Sequence, residues 1–175
     1  MKQILLLGFG GQGIITSSII IAEVAVNLGK EVVQLQSYTA AVRGGNCEAV
    51  VMVSDYFIGN LEIKKPSIII ALSQESLNKY SDDIDENTIL IVDEDLVNEI
   101  PQKCNLKKAS FRQLSIENFG TCMFANIIML GYLVQFLENV PLKIMKNIVS
   151  KRVPKNTMKE NLIALEIGYN SAIIS

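Results

Sequence analysis

Histidine is absent from this chain of 175 residues. Its absence removes the commonest general base, the commonest transition-metal ligand and every Ser-His or Cys-His nucleophile pair. Cysteine is sparse. Cys47, Cys104 and Cys122 are odd in number and widely spaced, which matches neither a disulfide framework nor a zinc or iron–sulfur pattern. Excess basic charge is missing too: a formal net charge of −2 gives no field for nucleic acid or an acidic membrane surface. A lone Arg43-Gly44-Gly45 is seen, but RNA-binding segments of that type are repetitive and disordered, and this one sits between apolar strands. No internal repeat or low-complexity linker breaks the chain, so residues 1–175 are expected to form one domain. Met1-Lys2 leads directly into a strand, so no signal peptide is expected and the chain is expected to be cytoplasmic.

One segment, Phe119 to Leu137, is apolar enough to raise a membrane question. It carries Asn126 and Gln135 mid-run, two glycines and no flanking basic cluster, so a buried helix is expected rather than a bilayer span.

Nearly half the residues are apolar, 49%, enough for a full core. Ile4-Leu5-Leu6-Leu7 is a continuous apolar run that stops at glycine, as a fully buried parallel strand does. From Ile14 to Leu28 the spacing turns helical, with Ile15, Ile19, Ala22 and Val26 on one face, and Gly29 closes the helix. Glu31 to Gln36 is a second strand, completing a βαβ unit. Glu48 to Val53, Ile68 to Leu72 and Thr88 to Val92 read as further strands, with a helix from Gln74 to Tyr80. Ala109 to Leu114 reads as an edge strand, and the chain from Ile116 as two or three helices broken at Pro141 and Pro154. The fold class is therefore α/β: a Rossmann-like, mostly parallel sheet flanked by helices, with a helical C-terminal segment.

Two glycine-rich turns fall at the carboxyl ends of the first two strands. Gly8, Gly10 and Gly13 fit G-x-G-x-x-G between a strand and a helix, a context in which backbone N–H groups and the helix N-terminus face an anion. The simpler reading is that these glycines only permit a tight turn. An NAD site would also place Asp or Glu at the end of the second strand. That end reads Gln34-Leu35-Gln36-Ser37, which disfavours NAD. NADP stays open, because Arg43 suits a 2′-phosphate, and so does a stand-alone CoA-binding Rossmann protein. Arg43 either meets a ligand or a subunit, or ties its own loop to a carboxylate or carbonyl. Tyr38 either packs under that loop or lines a pocket. Asp93-Glu94-Asp95 is contiguous, so its carboxylates do not converge on a metal.

The combination Gly8-Phe9-Gly10-Gly11-Gln12-Gly13-Ile14 with Ser37-Tyr38 through Arg43-Gly44-Gly45 resembles the γ subunit, or γ domain, of the 2-oxoacid:ferredoxin oxidoreductases. The resemblance continues through Val53-Ser54-Asp55, Ile58, Ile68 to Leu72, and Asn161, Ala164 and Gly168, nearly the full length. Two positions depart from it: Thr39 stands where the family usually has glycine, and Ala41 where it usually has an acid. The Ser-Tyr version is closer to the enzymes for 2-oxoglutarate or branched 2-oxoacids.

The resemblance implies a non-catalytic subunit of an enzyme that converts a 2-oxoacid and coenzyme A to acyl-CoA and CO2, reducing ferredoxin. Thiamine diphosphate and iron–sulfur clusters would sit on the α, β and ferredoxin-like δ partners, and the isolated chain would be inactive, with a homodimer one state open to it. Gly8, Gly10, Gly11, Gln12, Gly13, Ser37, Tyr38, Arg43, Gly44 and Gly45 are then the candidate contacts to a phosphate, to CoA or to a subunit. No catalytic residue and no metal ligand is expected.

Overall fold

The structure, a computed structural model, describes residues 1–38 and 45–174, without the side chains of Tyr38 and Ile174. Thr39 to Gly44 lie outside the described residues, so the part of the second turn that includes Arg43 and Gly44 does too. The chain divides into two compact units, Met1–Lys108 and Ala109–Ser175.

The first unit is built on a six-stranded sheet ordered β2-β3-β1-β4-β5-β6. The strands are β1 Lys2–Phe9, β2 Glu31–Tyr38, β3 Asn46–Ser54, β4 Ile68–Ala71, β5 Ile89–Asp93 and β6 Asn105–Ala109. The expected α/β sheet is present and is mixed. β1, β4 and β5 run parallel, while β3 inserts between β1 and β2, antiparallel to both. Length explains this insertion. β2 ends at Tyr38 and β3 begins at Asn46, a gap too short for the crossover of a dozen or more residues that parallel pairing needs. The edge strand β6 ends at Ala109, where the sequence places its start; Phe111–Phe119 is helix α3 instead.

The sheet's two faces are divided by the alternation of its strands. Leu5, Leu7, Val50, Met52, Ile69, Ala71, Leu90 and Val92 form one core with Leu77 of the short helix α2, Gln74–Asn78. On the other face lies α1, Ile14–Asn27. Gln34 of β2 reaches it, donating from Nε2 to Ser18 Oγ at 2.9 Å. α1 buries Ile14, Ser17, Ser18, Ile20, Ile21, Val24 and Ala25, whereas Val26 is exposed. The expected face of Ile15, Ile19, Ala22 and Val26 is therefore displaced. Isoleucines almost encircle this helix, so periodicity alone does not choose a side, and two small serines allow close approach to the sheet.

At the opposite end of β1, Gln3 is buried, and its side chain is satisfied by main chain. Nε2 donates to Glu62 O at 2.8 Å, and Oε1 accepts from Lys64 N–H at 3.1 Å. That amide holds the 55–66 connection against the strand.

The second unit contains α3 Phe111–Phe119, α4 Ala125–Val134, α5 Leu142–Arg152 and α6 Met158–Ile174. Pro141 caps α5 and Pro154 precedes the turn into α6, the two expected breaks. The apolar stretch from Phe119 is interrupted by Gly120, which ends α3 in the left-handed region at φ 71°. α4 follows and is almost wholly buried. Among the described residues no helix is long and apolar enough to cross a membrane. α4 and α6 touch backbone to backbone: a Cβ at Gly131 would overlap the Leu165 carbonyl, and one at Gly168 the Ile128 carbonyl. Phe111 and Tyr132, both fully buried, meet edge to face at 5.4 Å.

Candidate functional site

The β1–α1 turn and the β2–β3 hairpin meet at one end of the sheet. Register brings them there: Phe9 at the end of β1 faces Asn46 at the start of β3, and Tyr38 at the end of β2 faces Cys47. The two glycine turns are joined directly, since Gly10 N–H donates to the Gly45 carbonyl at 3.0 Å. The first turn thus meets the second at Gly45, and a hairpin ladder rather than a pair of adjacent parallel strands brings them together.

Three glycines of the first turn, Gly8, Gly11 and Gly13, are required by packing or backbone conformation. At Gly8 a Cβ would lie 2.5 Å from Gln12 Oε1 and 2.8 Å from Ile14 Cδ1, so the position is closed by packing. Gly11 and Gly13 take φ of 94° and 75°, the left-handed region in which L side chains are strained. Gly13 is the N-cap of α1 and supplies no side-chain cap.

Gln12 is the organising side chain. Its Oε1 accepts Phe9 N–H at 2.6 Å, its Nε2 donates to the Leu72 carbonyl at 3.1 Å, and its own N–H donates to Phe9 O at 3.2 Å. The carboxamide therefore locks the turn onto the end of β4. It is half-buried and engaged at both ends.

These bonds bear on what the turn can hold. A dinucleotide pyrophosphate takes amide donors from such a turn. Here the N–H groups of Phe9, Gly10 and Gln12 all donate within the fold. β2 ends in exposed Gln36 and Ser37, without the carboxylate that a ribose needs. Both features disfavour NAD. The exposed backbone of Gly10 and Gly11 instead forms a rim.

A polar seam supports that rim, and local sequence patterns gave no sign of it. Asn46 Nδ2 donates to Glu75 Oε1 at 2.9 Å, and Asn46 Oδ1 accepts from the buried Ser76 hydroxyl at 3.3 Å. Ser73 caps α2 by accepting Ser76 N–H at 3.2 Å. Two residues along β3, Glu48 accepts the Tyr80 hydroxyl at 2.8 Å and pairs with Lys79 at 3.3 Å. Burial, and then the neighbouring Glu48 carboxylate, push the Tyr80 hydroxyl up to about 12. The Cys47 thiol is also raised, by burial first and then by Glu48. Thiolate chemistry is disfavoured at that position.

The predicted residues Gly8, Gly10, Gly11, Gln12, Gly13 and Gly45 thus come together, and Ser37 and the Tyr38 backbone stand at the end of the adjoining strand. Arg43 and Gly44 lie outside the described residues. Among the described residues no group of three or more His, Cys, Asp or Glu side chains could hold a metal ion.

Comparison with known proteins bears on the same geometry. The profile of the pyruvate ferredoxin/flavodoxin oxidoreductase family matches residues 3–171. The chain is 39% identical to the 2-oxoglutarate synthase subunit KorC of Methanocaldococcus jannaschii, over 98% of this chain and 94% of that one. It is 36% identical to the KorC subunit of Archaeoglobus fulgidus, over 93% and 83%. Among solved structures, the γ subunit of a keto/oxoacid ferredoxin oxidoreductase from Geobacter sulfurreducens superposes with a TM-score of 0.86 at 32% identity, each chain wholly covered. The 2-oxoglutarate:ferredoxin oxidoreductase of Magnetococcus marinus shares the fold at a TM-score of 0.88 and 23% identity, over 99% of this chain and 31% of that one. The chain belongs to the pyruvate ferredoxin/flavodoxin oxidoreductase family, with the fold of its γ subunits.

Proposed function

We propose that this chain is the γ subunit of a cytoplasmic 2-oxoacid:ferredoxin oxidoreductase acting on 2-oxoglutarate. The observation that carries the reading is the end-to-end match to KorC subunits. The chain's part in the reaction is non-catalytic. Thiamine diphosphate and the iron–sulfur clusters belong to the α, β and ferredoxin-like δ subunits, and the complex passes electrons to ferredoxin as it forms acyl-CoA. The lack of histidine supports this division of labour. The whole of 1–175 acts as one γ-type domain, since the family match runs across both compact units.

The rim formed by Gly10, Gly11, Gly45, Ser37 and the Tyr38 backbone is the surface we assign to contact with a partner subunit or with CoA, and the family resemblance adds Arg43 and Gly44, outside the described residues, to the same assignment. Its support is internal: the first turn is held by Gln12 and Gly45 through hydrogen bonds within the chain, so it presents a pre-formed edge.

Affinity purification of the tagged chain from its native extract tests the proposal. Partner subunits with thiamine diphosphate and iron are expected, with ferredoxin reduction dependent on 2-oxoglutarate and CoA. A chain recovered alone, or a complex that turns over only other 2-oxoacids, would overturn the assembly or the substrate assignment respectively. Titration of the isolated chain with NADPH tests the stand-alone alternative, and saturable binding would favour it.

A further inference from the structure

We infer that helix α5 and the turn after it form a basic docking strip for a soluble, acidic protein that associates transiently. This inference does not depend on the proposed enzyme.

The net charge of −2 conceals a local excess of the opposite sign. Between Leu142 and Lys159 stand Lys143, Lys146, Lys151, Arg152, Lys155 and Lys159, with no Asp or Glu among them. All but Lys146 are exposed. Lys146 pairs with Glu166 of α6. Among the described residues no carboxylate lies within ion-pair distance of Lys143, Lys151, Lys155 or Lys159. A surface that serves solvation alone mixes both signs; this one does not.

Local helix chemistry does not account for the placement. A cation is favoured in the last turn of a helix, which explains Lys151 and Arg152 at the end of α5. Lys143 stands instead in the first turn of α5, a turn without any acid. Lys159 stands in the first turn of α6, and Lys155 just ahead of it. At those ends the helix dipole disfavours a cation. Lysines set against the local preference, and left unpaired, point to negative charge outside the chain.

The chemistry of the strip selects the partner. Met145, Ile148 and Val149 of α5 are buried, so no apolar face is left to enter a bilayer. No aromatic residue lies between positions 142 and 159 to stack on a base, and the chain as a whole is acidic. Carboxylates on a protein surface are the complementary charge that remains. No large apolar side chain is exposed between positions 142 and 157, so the contact lacks the desolvated apolar centre of a permanent interface. Lysine also outnumbers arginine here, and its hydrated point charge steers an encounter more than it fixes a geometry. The strip therefore suits a partner that comes and goes.

A fluorescent oligoglutamate peptide is the probe, with an oligouridylate of equal charge and phosphatidylserine vesicles for comparison. Anisotropy titration of the full chain at low salt should show saturable peptide binding, tighter than to either comparison and lost at high salt. Lys143→Glu, Lys151→Glu and Lys155→Glu together should weaken it by about tenfold or more, with circular dichroism and melting unchanged. Lys143→Gln, Lys151→Gln and Lys155→Gln together should weaken it less, and this milder set decides the matter if the first does not fold. Lys64→Glu, Lys65→Glu and Lys103→Glu change the net charge equally and should leave binding within about twofold. Equal losses from the two glutamate sets, tighter binding of oligouridylate or vesicles, or no saturable peptide binding would each overturn the inference. A protein that stays with the wild-type chain through gel filtration at physiological salt, and is lost from the Lys143, Lys151 and Lys155 variants, would overturn the transient character.

Discussion

The Gly10 N–H donates to the Gly45 carbonyl at 3.0 Å, so the two glycine turns are fastened to each other through main chain. A side chain at position 10 is not forbidden by that bond: a Cβ there would lie 3.9 Å from the same oxygen. Gly10→Ala should therefore change stability by less than about 0.5 kcal/mol. Gly8→Ala should cost about 1–3 kcal/mol, because its Cβ displaces Gln12 and Ile14. Urea denaturation of the two variants checks the contrast, and equal costs would contradict the packing argument.

The glycines between α4 and α6 give a test whose sign is decisive. Helix propensity alone predicts that Gly131→Ala and Gly168→Ala stabilise by about 1 kcal/mol. The facing carbonyls of Leu165 and Ile128 leave no room for a methyl group. Each variant should instead lose about 3 kcal/mol, at the upper end for overpacking. Thermal melts would show the melting temperature falling rather than rising.

Tyr80 sets an alkaline dependence. Its hydroxyl is raised from an ordinary value of 10.0 to about 12 in the folded chain, by burial and by Glu48. The folded state thus favours the protonated phenol. The stabilisation is complete below the unfolded value and is lost as pH rises through the folded one. Between pH 10 and 12 the wild type should lose more unfolding free energy than Tyr80→Phe. At neutral pH Tyr80→Phe should be weaker by about 1 kcal/mol, from the lost bond to Glu48. Parallel alkaline slopes would remove Tyr80 as the cause.

The three thiols should separate by reactivity. Cys122 is exposed, Cys104 is intermediate and Cys47 is buried. Burial raises the pKa of both Cys104 and Cys47. A chromogenic disulfide reagent near neutral pH should modify Cys122 first and reach Cys47 only after unfolding. Mass mapping of the labelled peptides gives the order.

Arg43→Ala should lower assembly or turnover of the purified complex while leaving the melting of the isolated chain unchanged. If the isolated fold is lost instead, the arginine serves its own loop.

The parts of this molecule legible in sequence are those set by local chemistry. Ile4 to Leu7 and Ile68 to Leu72 read as buried strands because their apolar runs are unbroken, and Gly29 marked a helix end that the structure places at φ 75°. The direction of β3 was not read from composition, since an antiparallel strand buried on both faces is as apolar as a parallel one. Its signal lay in the short span between Tyr38 and Asn46. Gln12 could be read as a motif residue but not as a clamp, because its partner Leu72 is 60 positions away. Asn46 with Glu75, and Glu48 with Tyr80, had no local signature for the same reason. Phe111 and Leu114 read as strand positions, but β6 ends at Ala109 and Phe111 is buried from a helix.

The ladder between β2 and β3 has a consequence for divergence within the family. Every residue of β2 has a partner, from Glu31 opposite Ser54 to Tyr38 opposite Cys47, and Gly45 is anchored separately to Gly10. Both ends of the intervening span are thus fixed by groups outside it. The closure entropy of such a span grows only logarithmically with its length, about 0.6 kcal/mol per doubling. Insertions or rewritings between Thr39 and Gly44 would leave the scaffold beneath unperturbed. Relatives can therefore vary what they touch at this rim while inheriting the same sheet.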